Sequence, residues 1–268
     1  VSENTKNVVQ SAAKVFAVLR AFDVQQPELT ITDIAGRTGL DRGTSFRLIH
    51  TLVSLGYLAA VPGTRRFRLT LQCLELGYTA LAQGGLRAQA APLLRELVPD
   101  YADAASLGVL EGADVVYVER AQGPLGLREM DRRIGSRAGA YATALGQVIL
   151  AWQAPGQAQA VLESAERVRL SERTLVDIDA LMERLAAVRR AGYALSDGEN
   201  AYGLRTMAAP VMGPDDLPVA AVSLTVRSQR QTMEAFQAAA LPALLRTAAA
   251  LTKAVRLTHG AAPALLAG

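Results

Sequence analysis

The chain has 268 residues, half of them hydrophobic and a fifth charged, with a formal net charge of +3. That length and apolar content predict a packed fold, of two domains or one large one, and exclude an extended disordered chain. The single cysteine, Cys73, rules out an intramolecular disulfide and a thiolate metal cage, and two histidines, His50 and His259, are too few for easy assembly of a histidine triad. No G-x-S-x-G elbow, Walker A run or G-x-G-x-x-G is present, so the expectation is a non-enzyme without cofactor or metal. The stretches Ala239 to Leu245 and Ala248 to Leu251 are too short to span a bilayer, and VSENTKNVVQ lacks a signal-peptide core. A cytoplasmic protein without membrane contact is expected.

Ser11 to Phe22 reads as an amphipathic helix with Val15, Val18, Leu19 and Phe22 on its apolar stripe. After Gln25-Gln26-Pro27, the run from Thr30 to Leu69 has the layout of a winged helix-turn-helix. Ile31 to Arg37 is a short helix ending at Thr38-Gly39; Asp41 caps a second helix reaching about Leu55. Gly56 ends that helix, and two strands follow around Pro62-Gly63-Thr64. Phe46, Ile49, Leu52 and Val53 are expected on its core side. Arg42, Thr44, Ser45, Arg47, His50 and Thr51 are the residues expected to meet DNA, with Arg65 and Arg66 (and Arg68 beside them) on the wing. A guanidinium suits guanine edges or phosphates, and hydroxyls reach either. Residues 1–70 hold nine Lys or Arg against five acids, an excess of four, whereas the whole chain carries +3. The positive charge therefore sits where the helix-turn-helix does.

Thr70 to Gln83 reads as a linker helix in which Leu71, Leu74 and Leu76 surround Cys73 as a structural thiol, and Leu86 to Tyr101 as a further helix. The texture then changes. Ser106 to Leu110 and Val115 to Glu119 form a predicted hairpin around Glu111-Gly112-Ala113-Asp114, with another strand near Leu127 to Met130. Helices follow over Thr143 to Gln153, Gln157 to Ala165 and Asp177 to Ala191. Strands Ala208 to Met212 and Val219 to Val226 flank Gly213-Pro214-Asp215-Asp216, and a last helix from Met233 to about Leu257 is expected to kink or restart at Pro242. The expected fold class is α+β: a winged-helix domain (1–69), a linker helix (70–85), an antiparallel-sheet domain (86–258) and a tail (259–268).

The stretches ITDIAGRTGLDRGTSFRLIHTLVSLGYL, FRLTLQCLELGY, GADVVYVER, RIGSRAGAYATALGQVILA, RRAGYALSDGENAYGLRTMAAPV and VAAVSLTV, in that order, resemble the IclR family of bacterial transcriptional regulators. The resemblance covers nearly the whole chain. It implies a winged-helix DNA-binding domain, a linker helix and a GAF-like effector domain. It also implies homodimers, at times paired into tetramers, on palindromic double-stranded operators, with small organic acids or aromatic catabolites as effectors.

Within Val219 to Val226, Ala221, Ser223 and Thr225 share one strand face and Val222, Leu224 and Val226 the other. Thr206 faces the same way on the neighbouring strand. The helix opening at Thr143 offers backbone N–H groups at Ala144, Leu145 and Gly146, a carboxylate-binding arrangement. The resemblance places effector contacts at such positions. It also marks two departures: Ser196 stands where many members have an acid, and Thr206 where many have cysteine, which argues against a glyoxylate-like ligand. With Met130, Tyr141 and Leu145 as apolar lining, an aromatic acid, aldehyde or phenol is the expected effector. The alternatives are a DNA-binding regulator without a small-molecule effector and, further off, a metabolic enzyme.

Overall fold

The computed structural model describes residues 9–23, 25–76, 85–98, 100–123 and 132–260, with side chains to residue 257. Two compact units part between residues 83 and 84.

In the first unit, α1 (Gln10–Arg20), α2 (Ile31–Thr38) and α3 (Arg42–Ser54) enclose a core of Val18, Leu29, Ile34, Ile49, Leu52 and Leu58. The helix starts follow from local chemistry. Thr30 and Asp33 form a reciprocal capping box on α2, Asp33 accepting from the Thr30 backbone N–H at 2.9 Å. Gly39 takes the left-handed conformation (φ 68°) that ends α2, and Asp41 accepts from Thr44 N–H at 2.8 Å to start α3. Strands β1 (Glu28–Thr30), β2 (Leu58–Ala60) and β3 (Arg66–Leu69) pair antiparallel in the order β1-β3-β2, the β2–β3 hairpin being the wing. Cys73 donates its thiol to the Tyr57 carbonyl (3.4 Å), but Leu71, Leu74 and Leu76 are exposed rather than packed around it.

The caps carry a pH dependence. Hydrogen bonds from Gln26 and then Arg37 hold the Asp23 carboxyl below its ordinary 3.8; those from Thr30 and from Thr44 do the same for Asp33 and Asp41. A carboxyl whose folded-state value is depressed contributes stability above its unfolded value and loses it as pH falls through the folded one. The first melting transition of the full chain should therefore be level from neutrality to about pH 5 and drop below about pH 4. An unchanged midpoint at pH 3 would count against these contacts.

The second unit is built on one six-stranded antiparallel sheet in the order β6-β5-β4-β9-β8-β7. Its strands are β4 (Ala104–Glu111), β5 (Asp114–Gln122), β6 (Arg137–Gly139), β7 (Ala194–Asp197), β8 (Leu204–Met212) and β9 (Pro218–Arg227). Side chains alternate across it. Val222, Leu224 and Val226 join Met207 and Leu107 under α4 (Gly85–Glu96) and α8 (Met233–Gly260), where Leu94, Phe236 and Leu244 are fully buried. The opposite face, including Ala208 and Ala221, meets α5 (Ala144–Leu150), α6 (Pro155–Ser164) and α7 (Ile178–Ala191). α8 continues through Pro242 as one helix of 28 residues, without the restart that was one of the two expectations there. It is long and apolar enough to match a membrane span by composition, and its buried stripe on the sheet accounts for that composition. The expected strand near Leu127 to Met130 lies outside the described residues. Strands β1, β6 and β7, three or four residues each, were not expected.

Candidate nucleic-acid interface and ligand cavity

On α3, Arg42, Arg47, His50, Thr51 and Ser54 are exposed and Thr44 half-buried. The core side is formed by Ser45, Ile49 and Leu52, all buried. Two expectations change places here. Ser45 is fully buried, so it faces the hydrophobic core and cannot reach DNA without the helix turning; Phe46, assigned to the core, is 50% exposed. The residues at i, i+4 and i+7 from Ser45 set the buried stripe, and Phe46 lies about 100° off it. Its ring stands 4.2 Å (centroids) from His50, which in turn meets Phe67 of the wing edge-on at 6.3 Å.

Arg65 and Arg68 are exposed on the wing; Arg66 bends back to donate to the Glu28 carbonyl at 3.0 Å. Among the described residues Arg42, Arg47, Arg65 and Arg68 take part in no ion pair, so their charge faces solvent. Thr51 spends its hydroxyl on the Arg47 carbonyl (2.9 Å) while remaining exposed.

The second unit holds a cavity of about 20 Å³ lined by Tyr117, Arg120, Thr143, Ala144, Leu145, Ser196, Asn200, Thr206, Ser223 and Thr225. Strand register builds it. Ser196 of β7 pairs Thr206 of β8, which pairs Thr225 of β9; one step along, Ala208 pairs Ser223, Ser223 pairs Ser106, and Ser106 pairs Arg120 of β5. Two rows of small polar residues thus cross the sheet under α5, and the hydroxyls of Thr206 and Thr225 are 3.0 Å apart. The expected residues Ala144, Leu145, Ser196, Thr206, Ser223 and Thr225 are brought together.

Three are not. Tyr141 turns away, donating its hydroxyl to the Val168 carbonyl at 2.7 Å within the second core. Gly146 gives its N–H to the Thr143 side chain (3.1 Å), so it has none to offer a ligand; its lack of a side chain serves packing, since a Cβ there would lie 2.3 Å from the Ala140 backbone. In the first turn of α5 the N–H groups of Ala144 and Leu145 remain. Met130 lies outside the described residues. Of the apolar lining expected, Leu145 is the residue found at the site among those described, with Ala144 beside it.

Arg120, Tyr117 and Asn200 were not expected. The Arg120 guanidinium donates to Ser106 Oγ (2.8 Å) and, with the Gln122 amide oriented to satisfy both groups, to its carbonyl oxygen at 2.8 and 3.1 Å. Burial lowers its pKa, yet a guanidinium stays charged at neutral pH. No carboxylate pairs with it among the described residues. Arg132 lies close by, 5.8 Å over the Tyr117 ring and 3.3 Å from Asn200 Oδ1. Burial raises the Tyr117 phenol's pKa, which keeps it a neutral donor. The Arg120 guanidinium, hydroxyls and the Ala144 and Leu145 N–H groups converge on a space with no acid in its lining, an arrangement chemically suited to an anion with several acceptor oxygens. A larger hollow of about 410 Å³ near Arg173 and Arg205 differs, because both guanidiniums pair with Asp197, at 2.5 and 3.0 Å. Glu199 is likewise spoken for, by Arg184 (2.9 Å) and Gln147 (3.2 Å).

A winged helix-turn-helix followed by an antiparallel-sheet domain with such a cavity is the architecture of a transcriptional regulator. Residues 11–62 match the IclR helix-turn-helix domain and residues 78–253 the bacterial transcriptional regulator IclR C-terminal domain, and the chain belongs to the IclR family. It is 34% identical over 223 residues to the HTH-type transcriptional regulator XynR of Escherichia coli, covering 83% of this chain and 88% of that one. A transcriptional regulator from Rhodococcus sp. RHA1 has a similar solved structure (39% identity, TM-score 0.79, 92% of this chain and 98% of that chain). So does an IclR homologue from Microbacterium hydrocarbonoxydans complexed with 4-hydroxybenzoate (26% identity, TM-score 0.78, 91% and 98%).

Proposed function

We propose that this regulator binds a palindromic DNA operator through the exposed face of α3 and the wing, and that an organic acid entering the cavity of the second unit alters that binding. The partly buried Arg120 guanidinium, without a carboxylate partner among hydroxyls and helix N–H groups, carries the effector half of this reading. The unpaired arginines of α3 and the wing carry the DNA half. Ser196, Thr206, Ser223 and Thr225 hold the ligand's oxygens, and Arg120 its carboxylate. The related protein bound to 4-hydroxybenzoate favours a hydroxylated aromatic acid within that class. A volume of about 20 Å³ admits a water and not a benzene ring, so an aromatic acid enters only as the lining parts. The effector acts through its different affinity for the two states it distinguishes. The place of action is then the cytoplasm, where an operator is accessible.

One reading head gives limited operator affinity, and Leu71, Leu74 and Leu76 of the same unit expose 81%, 65% and 54% of their surface. Val9, which precedes α1, and Phe16 on it are exposed as well. We place a homodimer contact on these residues. Light scattering at micromolar concentration should show at least a dimer; a monomer that bound operator with undiminished affinity would rule it out. The experiment that tests the whole reading is a mobility shift on the DNA upstream of the regulator's own gene, repeated with aromatic and aliphatic acids. Retardation that no acid altered, together with no acid raising the melting temperature, would leave a regulator without this effector class.

A further inference from the structure

Phe46 is the one large apolar side chain on an otherwise polar, basic surface of α3 that is half exposed beside Arg47, and its ring is held in place. His50, one turn on, packs on it at 4.2 Å, and Phe67 of β3 backs His50 edge-on at 6.3 Å. Three rings therefore run in a row from the wing strand to the helix, with half-buried Phe67 at the inner end and Phe46, beside the likewise exposed His50, at the outer end. Phe46 is the fifth residue of α3, and the N-terminal residues of a recognition helix are those that reach base edges. The exposed cationic side chains of this unit's helix and wing include Arg42, Arg47, Arg65 and Arg68, complementary to phosphate and unsuited to an apolar protein partner. The one apolar group that B-DNA displays in its major groove is the C5-methyl of thymine.

We propose that Phe46 is a specificity-determining residue that contacts a thymine methyl in each operator half-site, with His50 and Phe67 fixing its ring. The inference rests on the DNA-binding reading above and adds a base preference that arginines and hydroxyls do not supply. Arginine selects guanine or phosphate, and a hydroxyl accepts most partners; an immobilised phenyl ring rewards a methyl.

The test uses the full chain. Sequences are first selected from a random duplex library, and the enriched duplex is titrated by fluorescence anisotropy. It is then titrated again with each thymine in turn replaced by deoxyuridine, which removes the methyl alone. At one thymine per half-site the wild type should lose roughly three- to fourfold in affinity, the worth of one methyl withdrawn from water. Phe46→Ala should bind the thymine and uracil duplexes alike, and Phe46→Leu should retain part of the difference. Matching melting temperatures check that the variants fold. A wild type indifferent to uracil at every position, or a Phe46→Ala protein with the full uracil penalty, overturns the inference and leaves DNA binding standing. A variant whose oligomeric state falls while its uracil penalty persists assigns Phe46 to the protein–protein contact instead. A library that yields no enriched sequence overturns the DNA-binding reading, and this inference with it.

Discussion

Replacing Arg120 by methionine should remove most of the affinity for an organic acid while leaving DNA binding without ligand unchanged. The guanidinium is partly buried, hydrogen-bonded to Ser106 and Gln122, and without a carboxylate partner. A ligand carboxylate that met methionine there would be desolvated and unpaired. Removing one partner of a buried, hydrogen-bonded charge pair costs about 2–5 kcal/mol, roughly 30-fold to several thousand-fold in Kd. Arg120→Lys should fall between the two, keeping the charge without the planar fork. Ser223→Val, which only strands one ligand oxygen, should cost less, about 1–3 kcal/mol. Calorimetry with 4-hydroxybenzoate and with short aliphatic acids separates these cases. Any acid that binds the wild type and Arg120→Met equally well is held somewhere else.

Arg47→Ala should weaken operator binding by about 1–3 kcal/mol and relax base preference at one position of each half-site, if its guanidinium reads a base edge. Arg65→Ala at the wing should behave differently. It should lower affinity for specific and nonspecific duplexes alike and reduce the slope of log K against log salt by roughly 0.9 for each phosphate that the arginine neutralises. The comparison is made at three or more salt concentrations. Equal operator binding by Arg47→Ala and wild type at all of them would remove α3 from the reading surface.

Helices were legible in the sequence where a cap announced them. Asp41, Thr143 and Asp177 each accept from the N–H three residues on, as their positions suggested, and Gly39 and Gly192 close α2 and α7 in the left-handed conformation. The short strands β1, β6 and β7 were not legible, because three or four residues carry little pattern of their own and, for β1 and β6, the pairing partner is also distant in the sequence. On α3 the apolar pattern pointed to the wrong neighbour: a serine is buried and a phenylalanine is not, since placement follows the stripe through Ile49 and Leu52. Thr206, Ser223 and Thr225 followed from strand alternation, whereas Ser196 came from the family resemblance and Ser106 was not expected. Arg120 did not, for a specific reason. The β4–β5 register shifts between Leu107 and Gly108, so that Val118 is an extra residue. Strict alternation puts Arg120 on the face opposite Tyr117; the bulge returns it to the same face. Nothing in the local sequence marks that bulge.

The strand order has a consequence for how the protein is made. β4 opens the sheet at residue 104, yet its inner neighbour is β9, whose pairing with it runs to Thr225. A ribosome must therefore emit about 120 further residues before the middle of the sheet closes, an interval of roughly 6–24 s at typical elongation rates. Until then β4 is an apolar edge with open hydrogen-bonding groups, the kind of template on which unfinished chains associate. The winged-helix unit, whose strands pair within residues 28–69, has no such wait. A chain cut short anywhere between the two units and β9 would carry a finished reading head on an unfinished, sticky sheet, so premature stops in this gene should yield aggregates rather than ligand-blind regulators.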